Sequence, residues 1–290
     1  MDVPAALASI ADVETALRRR GYLPDEGLAT AVFLAVGMRR PLLVEGEAGV
    51  GKTQLAKTLA DVAGAELIRL QCYEGIDAPQ ALYEWDYARQ LLTLRASQGE
   101  GADAVRELYL PELLAERPLL RAIRRGAGAV LLIDELDRAD EQFEAFLLEV
   151  LSDYTISIPE LGTVRAETPP LVLITSNRTR ELHDALKRRC LFHWIEYPHI
   201  EREIEIIMMN APEVSNALAM AVAGAVERLR AMGLSKAPGP AEAIDWARGV
   251  ALLGEDTLSE ATARATLGWA VKNRDDLQHV SAHLGHVVGA

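Results

Sequence analysis

Gly46-Glu47-Ala48-Gly49-Val50-Gly51-Lys52-Thr53 fits the pattern G-x-x-x-x-G-K-[ST], that of a loop wrapped around a phosphate. Ahead of it, Pro41-Leu42-Leu43-Val44 is a short apolar run suited to a buried strand. Behind it, Gln54-Leu55-Ala56-Lys57-Thr58-Leu59-Ala60 has helical spacing. Strand, glycine loop and helix start aim successive backbone N–H groups at an anion, and the helix dipole adds to them. Lys52 is expected to set its ammonium against the β- and γ-phosphates of ATP, and the Thr53 hydroxyl to ligate Mg²⁺. The loop from Gly46 through Gln54 would line the nucleotide. The glycines admit a backbone approach that a Cβ would block. The alternative is a chance match, against which the flanking strand and helix argue.

Downstream, Ala129-Val130-Leu131-Leu132-Ile133 is a continuous apolar run, the mark of a strand covered on both faces in a parallel sheet. It delivers Asp134 and Glu135 to its C-terminal end, the edge where open α/β sheets bind ligands. Asp134 is expected in the Mg²⁺ shell and Glu135 as the general base that polarises water. Two solvated carboxylates ending a strand are the alternative. An apolar residue at 135 would have meant binding without hydrolysis.

The 290 residues suffice for a large α/β domain and a smaller one, and with 50% hydrophobic residues a core can be buried. No apolar run reaches about 18 residues and no basic start precedes an apolar stretch, so neither a membrane span nor an export signal is expected. Cys72 and Cys190 lie far apart without ligand spacing, which suits a reducing cytoplasm. A formal charge of −13 makes nucleic acid an unfavoured partner. Arg117, Arg121, Arg124 and Arg125 cluster locally, as a solvated helix face or a surface near the nucleotide rather than a DNA site.

Residues 11–20 and 26–37 read as helices leading to the first strand. Further strands are expected at Glu66–Leu70, Ala129–Ile133, Leu171–Thr175 and Leu191–Ile195, with helical patterns between them. That predicts an α/β fold with a five-stranded parallel sheet. Alternation in 154–158 and 163–165 around Pro159-Glu160-Leu161-Gly162 predicts an inserted β-hairpin. Beyond Pro198 the chain reads as helical throughout. The expected domains are 1–198, binding nucleotide, and 199–290, a helical lid broken at Lys236-Ala237-Pro238-Gly239-Pro240.

Thr175-Ser176-Asn177 ends the fourth strand, and Asp184-Ala185-Leu186-Lys187-Arg188-Arg189 precedes the fifth. With the loop and the strand-end carboxylates, this order resembles the AAA+ P-loop ATPases, and among them the MoxR branch. Leu70-Gln71-Cys72-Tyr73-Glu74-Gly75, Tyr83-Glu84-Trp85 and Thr175 to Leu182 look closest to the CoxD-like accessory ATPases of carbon monoxide dehydrogenase-type molybdenum enzymes. The resemblance covers nearly the whole chain. It implies that Asn177 is sensor 1 and that Arg188 or Arg189, Arg189 first, is an arginine finger reaching a neighbouring subunit's nucleotide. It further implies a ring, by family a hexamer, with a protein client and a von Willebrand A-domain partner. The family's sensor 2 arginine is missing: Pro238-Gly239-Pro240-Ala241-Glu242-Ala243 stands in its place, with Lys236 and Arg248 on either side. Gln71 is expected to contact Glu135 and gate it.

Weaker signals remain. Tyr73, Tyr83, Trp85 and Tyr87 crowd one stretch, to line a pore- or partner-facing insertion or to pack it onto the sheet. His279, His283 and His286 fall on one face of an expected terminal helix, a spacing that also serves Zn²⁺ or Cu²⁺. Besides a client-remodelling ATPase, two readings stay open: an assembly module with little turnover, and a DNA-stimulated motor.

Overall fold

Alternation of helix and strand organises the first two thirds of the chain, and helices alone the rest. The computed structural model describes residues 5–96 and 108–289. In order come α1 (Ile10–Arg19), α2 (Glu26–Met38), β1 (Leu42–Gly46), α3 (Lys52–Ala63) and β2 (Glu66–Gln71). There follow α4 (Ala78–Leu82), β3 (Tyr83–Trp85), α5 (Tyr87–Ala96), β4 (Leu114–Glu116), α6 (Pro118–Arg125) and β5 (Ala129–Asp134). Then come α7 (Glu141–Asp153), β6 (Thr155–Ile158), β7 (Gly162–Arg165), β8 (Leu171–Ser176), α8 (Asp184–Lys187) and β9 (Leu191–Ile195). The remainder holds α9 (Ile200–Asn210), α10 (Asn216–Ala231), α11 (Pro240–Leu252), α12 (Glu260–Thr266), α13 (Arg274–Ala282) and α14 (Leu284–Val288).

The main sheet has five strands in the order β2-β5-β8-β1-β9, as the α/β expectation required. Its three central strands, β5, β8 and β1, are buried at every position but Leu171, because helices cover both faces. The edge strand β2 alternates towards its C-terminal end, burying Ile68 and Leu70 and exposing Arg69 between them. Register sets Gln71 beside Asp134 and Glu45 beside Ser176, so chemistry-bearing residues from four chain segments gather at one sheet edge. The expected hairpin is β6 paired antiparallel with β7.

Two compact units result. The first contains residues 1–16, 25–45 and 55–193; the second contains 17–24, 46–54 and 194–290. Two short N-terminal segments thus group with the helical part, a division that a single cut at 198/199 does not describe. The first core runs through Leu43, Ile68, Leu131, Ile133, Val172 and Ile174. The second is built on Leu218, Val222, Val226, Leu229, Trp246 and Val250, with the Trp246 indole N–H donating to Thr266 Oγ at 2.8 Å. A buried ion pair ties α9 to α10: Arg230 donates to both oxygens of Glu203, at 2.6 and 2.7 Å. Burial pushes the Glu203 carboxyl up, against the pull of Arg230.

The aromatic cluster divides. Trp85 is buried in a small antiparallel β3–β4 sheet that the sequence did not announce, and Tyr83 and Tyr109 meet it edge-on, with centroids at 6.5 and 5.2 Å. Tyr73 and Tyr87 are exposed. The expected single terminal helix is interrupted, since His283 breaks out of helical geometry between α13 and α14. Among the described residues no group of three His, Cys, Asp or Glu could hold a metal ion.

Candidate nucleotide site

The loop Gly46–Thr53 belongs to the second unit. Gly46 has the Ile195 carbonyl against its backbone; a Cβ there would lie 2.5 Å from that oxygen. Gly49 has φ +79°, a left-handed conformation that other residues adopt with strain. The turn closes on Lys52, the first residue of α3. Its side chain is buried and its ammonium donates to the carbonyls of Gly46 at 2.7 Å and Glu47 at 2.6 Å. The ammonium is thus held inside the curl of the loop, where the first N–H groups of α3 also point. Val50 is buried, Thr53 half-buried, and Glu47, Ala48 and Gln54 exposed. The glycine cradle, the enclosed ammonium and the helix start fit a phosphate group.

The turn before α11 rests on the same loop. Gly239 is packed so closely that a Cβ would meet Gly49 at 2.8 Å. The Ala241 N–H faces the Gly49 carbonyl at 3.5 Å, and Glu242 accepts from the Gly239 N–H at 3.0 Å. The place of a lid cation is therefore taken by Ala241 and a carboxylate. Arg248 is turned to Glu213, 3.2 Å away, and to the Asn210 carbonyl.

In the first unit, β5 ends on Asp134, which is 2% exposed. One of its oxygens accepts from the Thr175 hydroxyl at 2.5 Å, the other from Arg69 Nε at 2.9 Å. Glu135 follows in left-handed geometry, φ 55° and ψ 50°, with its N–H given to Thr175 Oγ at 2.9 Å. Its carboxylate receives the Gln71 amide at 3.1 Å and lies 3.0 Å from Arg138, so the expected Gln71 contact is present. The Thr53 hydroxyl and Asp134 carboxylate are hard oxygen donors of the type Mg²⁺ takes.

Asn177 follows β8 directly, and its N–H donates to Asp137 Oδ1 at 3.1 Å. Asp137 is buried and also accepts from the Thr179 N–H at 2.9 Å and hydroxyl at 2.7 Å. It organises the Asn177 loop, a role the sequence reading missed, although D-E-x-D spacing offered a hint. Glu144 on α7, fully buried, anchors the next stretch: it accepts from the His183 N–H at 2.8 Å and pairs with Arg180. Arg189 turns back onto its own chain, donating to the Leu148 carbonyl at 2.8 Å and to Ser152 at the end of α7. Arg188 caps α8 and is exposed. The arginines on and before α6 are matched by acids: Arg117 with Glu84, Arg121 and Arg125 with Glu66, and Arg124 with Glu116.

The family description AAA domain (dynein-related subfamily) matches residues 41–190, from the residue before β1 to the residue before β9. The chain belongs to that AAA family. The match upholds the MoxR-type AAA+ resemblance; the CoxD-like subgroup remains a resemblance. Among curated proteins, the chain is similar to Protein NorQ of Paracoccus denitrificans, 26% identical over 194 residues, covering 64% of this chain and 63% of NorQ. It is also similar to Chaperone protein ClpB of Mycoplasma genitalium, 30% identical over 167 residues, which is 57% of this chain but 20% of that one. The chain thus spans under two thirds of each of these relatives. Among solved structures, a point mutant of Thermotoga maritima RuvB superposes with a TM-score of 0.55 at 16% identity, covering 98% of this chain and 85% of RuvB. That likeness concerns the AAA+ fold alone.

Proposed function

We propose that this AAA protein hydrolyses ATP and couples the hydrolysis to remodelling of a protein client. The observation that carries this reading is Glu135: a carboxylate directly after the buried Asp134, held by Gln71 and Arg138. In this reading Lys52 and the loop N–H groups of Gly46 to Gln54 hold the phosphates, and Thr53 and Asp134 hold Mg²⁺. When bound, Mg²⁺ would neutralise charge on the phosphate oxygens. Glu135 takes a proton from the attacking water, and Asn177 orients that water or the γ-phosphate.

The finer reading is a head-to-tail ring, a hexamer, completed by an arginine finger from the neighbouring subunit. Arg189 and Arg188 are the candidates. Because Arg189 is engaged by Leu148 and Ser152, Arg188 is now the stronger one. A chaperone-like role accords with the similarity to Chaperone protein ClpB. A carbon monoxide dehydrogenase-type molybdenum enzyme as client and a von Willebrand A-domain partner follow from the resemblance only; a cytoplasmic location is proposed from the widely separated cysteines. No helix of the described residues is long and apolar enough to cross a membrane.

One observation favours the assembly-module reading with little turnover: the lid turn offers Ala241 and Glu242 to the loop rather than a cation. The DNA-motor reading is weakened by the pairing of the α6 arginines with glutamates. Steady-state phosphate release decides between turnover and binding. Glu135→Gln is expected to lower kcat by about 10²–10⁴-fold while a fluorescent ATP analogue binds as before. Equal rates in the two proteins would remove Glu135 from the chemistry.

A further inference from the structure

Arg69 lies two residues before Gln71 on β2, so strand periodicity places both side chains on one face of the sheet. That face meets the end of β5, where Gln71 is in register with Asp134. The Arg69 guanidinium reaches along it. Its Nε donates to Asp134 Oδ2 at 2.9 Å, and Nη2 stands 2.6 Å from Asp134 Oδ2. The same Nη2 donates to Gln71 Oε1. Gln71 in turn gives its amide N–H to Glu135 Oε2 at 3.1 Å. The two acidic residues that sequence reading assigned to different tasks are therefore joined by one side-chain relay, Asp134–Arg69–Gln71–Glu135.

We propose that Arg69 is a latch on Asp134 that a divalent cation must displace, and that its release is passed to Glu135 through Gln71. Asp134, 2% exposed, needs counter-charge wherever it is ionised. Arg69 supplies such charge from a side chain 51% exposed, so it can leave into water at little desolvation cost whereas Asp134 cannot follow. A divalent cation at Asp134 and a guanidinium on the same oxygen repel each other, which favours departure of the more exposed group. Departure also removes the donor that holds Gln71 Oε1, and the Gln71 amide is the group that touches Glu135. The base is thereby set only after the cation has arrived. Arg69 is a positioning residue in this account.

The inference rests on the reading of Asp134 as a Mg²⁺ carboxylate, so the test uses a cation readout rather than turnover. Mn²⁺, standing in for Mg²⁺, is titrated into the full chain with saturating ADP, and free Mn²⁺ is read by electron paramagnetic resonance. Arg69→Gln is expected to bind Mn²⁺ tighter by roughly fivefold, the size that a half-exposed ion pair commands. Gln71→Ala leaves Arg69 on Asp134 and is expected to keep the wild-type Mn²⁺ affinity while slowing ATP turnover. Unchanged or weaker Mn²⁺ binding by folded Arg69→Gln overturns the latch. Should that variant fail to fold, Arg69→Lys, with one ammonium in place of the fork, is expected to bind about twofold tighter, and no change there overturns it equally. A wild-type chain that binds no Mn²⁺ beyond ADP alone would overturn the nucleotide reading itself.

Discussion

Glu135 occupies a backbone conformation that costs a non-glycine residue on the order of 1 kcal/mol or more. It is maintained because Thr175 takes its N–H while Gln71 and Arg138 hold its carboxylate. Thr175 serves both acids, since its hydroxyl also donates to Asp134. Beside them Cys72 is sealed in the core; burial, then the charges of Asp134, Asp137 and Glu135, pushes its thiol up to about 12. Burial does the same to Cys190, also to about 12. A raised thiol holds its proton until pH passes the raised value, so at pH 8 neither is a thiolate. Ellman's reagent at pH 8 is expected to find neither cysteine in the native protein and both in denaturant; fast native reaction at either would contradict the burial. The turn closing on Lys52 and the strand end carrying Asp134 and Glu135 were legible from the loop pattern and the apolar run, whereas Asn177 was singled out by resemblance. Asp137 and Arg69 were not legible, since their meaning comes from partners some 40 and 65 residues away.

Among elements, α11 makes the clearest departure. Its first turn sits on the phosphate loop through Gly239 and Ala241, and the side chain it brings is Glu242. A carboxylate at that place opposes a triphosphate. Glu242→Gln is expected to tighten binding of a fluorescent ATP analogue by about threefold, the scale of a partly screened charge, with little effect on thermal unfolding. Weaker binding would mean that Glu242 supports the loop rather than opposing its ligand. The β3–β4 pair shows why local reading fell short: three-residue strands are too short for alternation to register. The terminal helix illustrates a related limit, because helical spacing assumes a continuous helix and His283 breaks it.

At the scale of the whole molecule, the proposed ring requires a second copy to complete the site. Specific activity is expected to rise with protein concentration. Arg188→Ala is expected to abolish most of it, a finger being worth about 10³–10⁵ in turnover. Arg189→Ala is expected to act differently, lowering the melting temperature because the end of α7 loses its anchor. Activity flat with concentration and insensitive to both substitutions would place the whole catalytic apparatus in one chain and remove the ring from the mechanism.

The five-stranded sheet, the glycine loop and the two strand-end carboxylates were readable from residue order, since they depend on interactions within a few residues and on apolar periodicity. Residue order did not reveal that segments 17–24 and 46–54 group with the helical unit, that Arg69 joins Asp134 to Gln71, or that the exposed Arg189 folds back onto α7. Those are contacts between segments distant in the chain, and packing creates them: a side chain's partner is whatever the fold brings within about 3 Å, which no local spacing encodes.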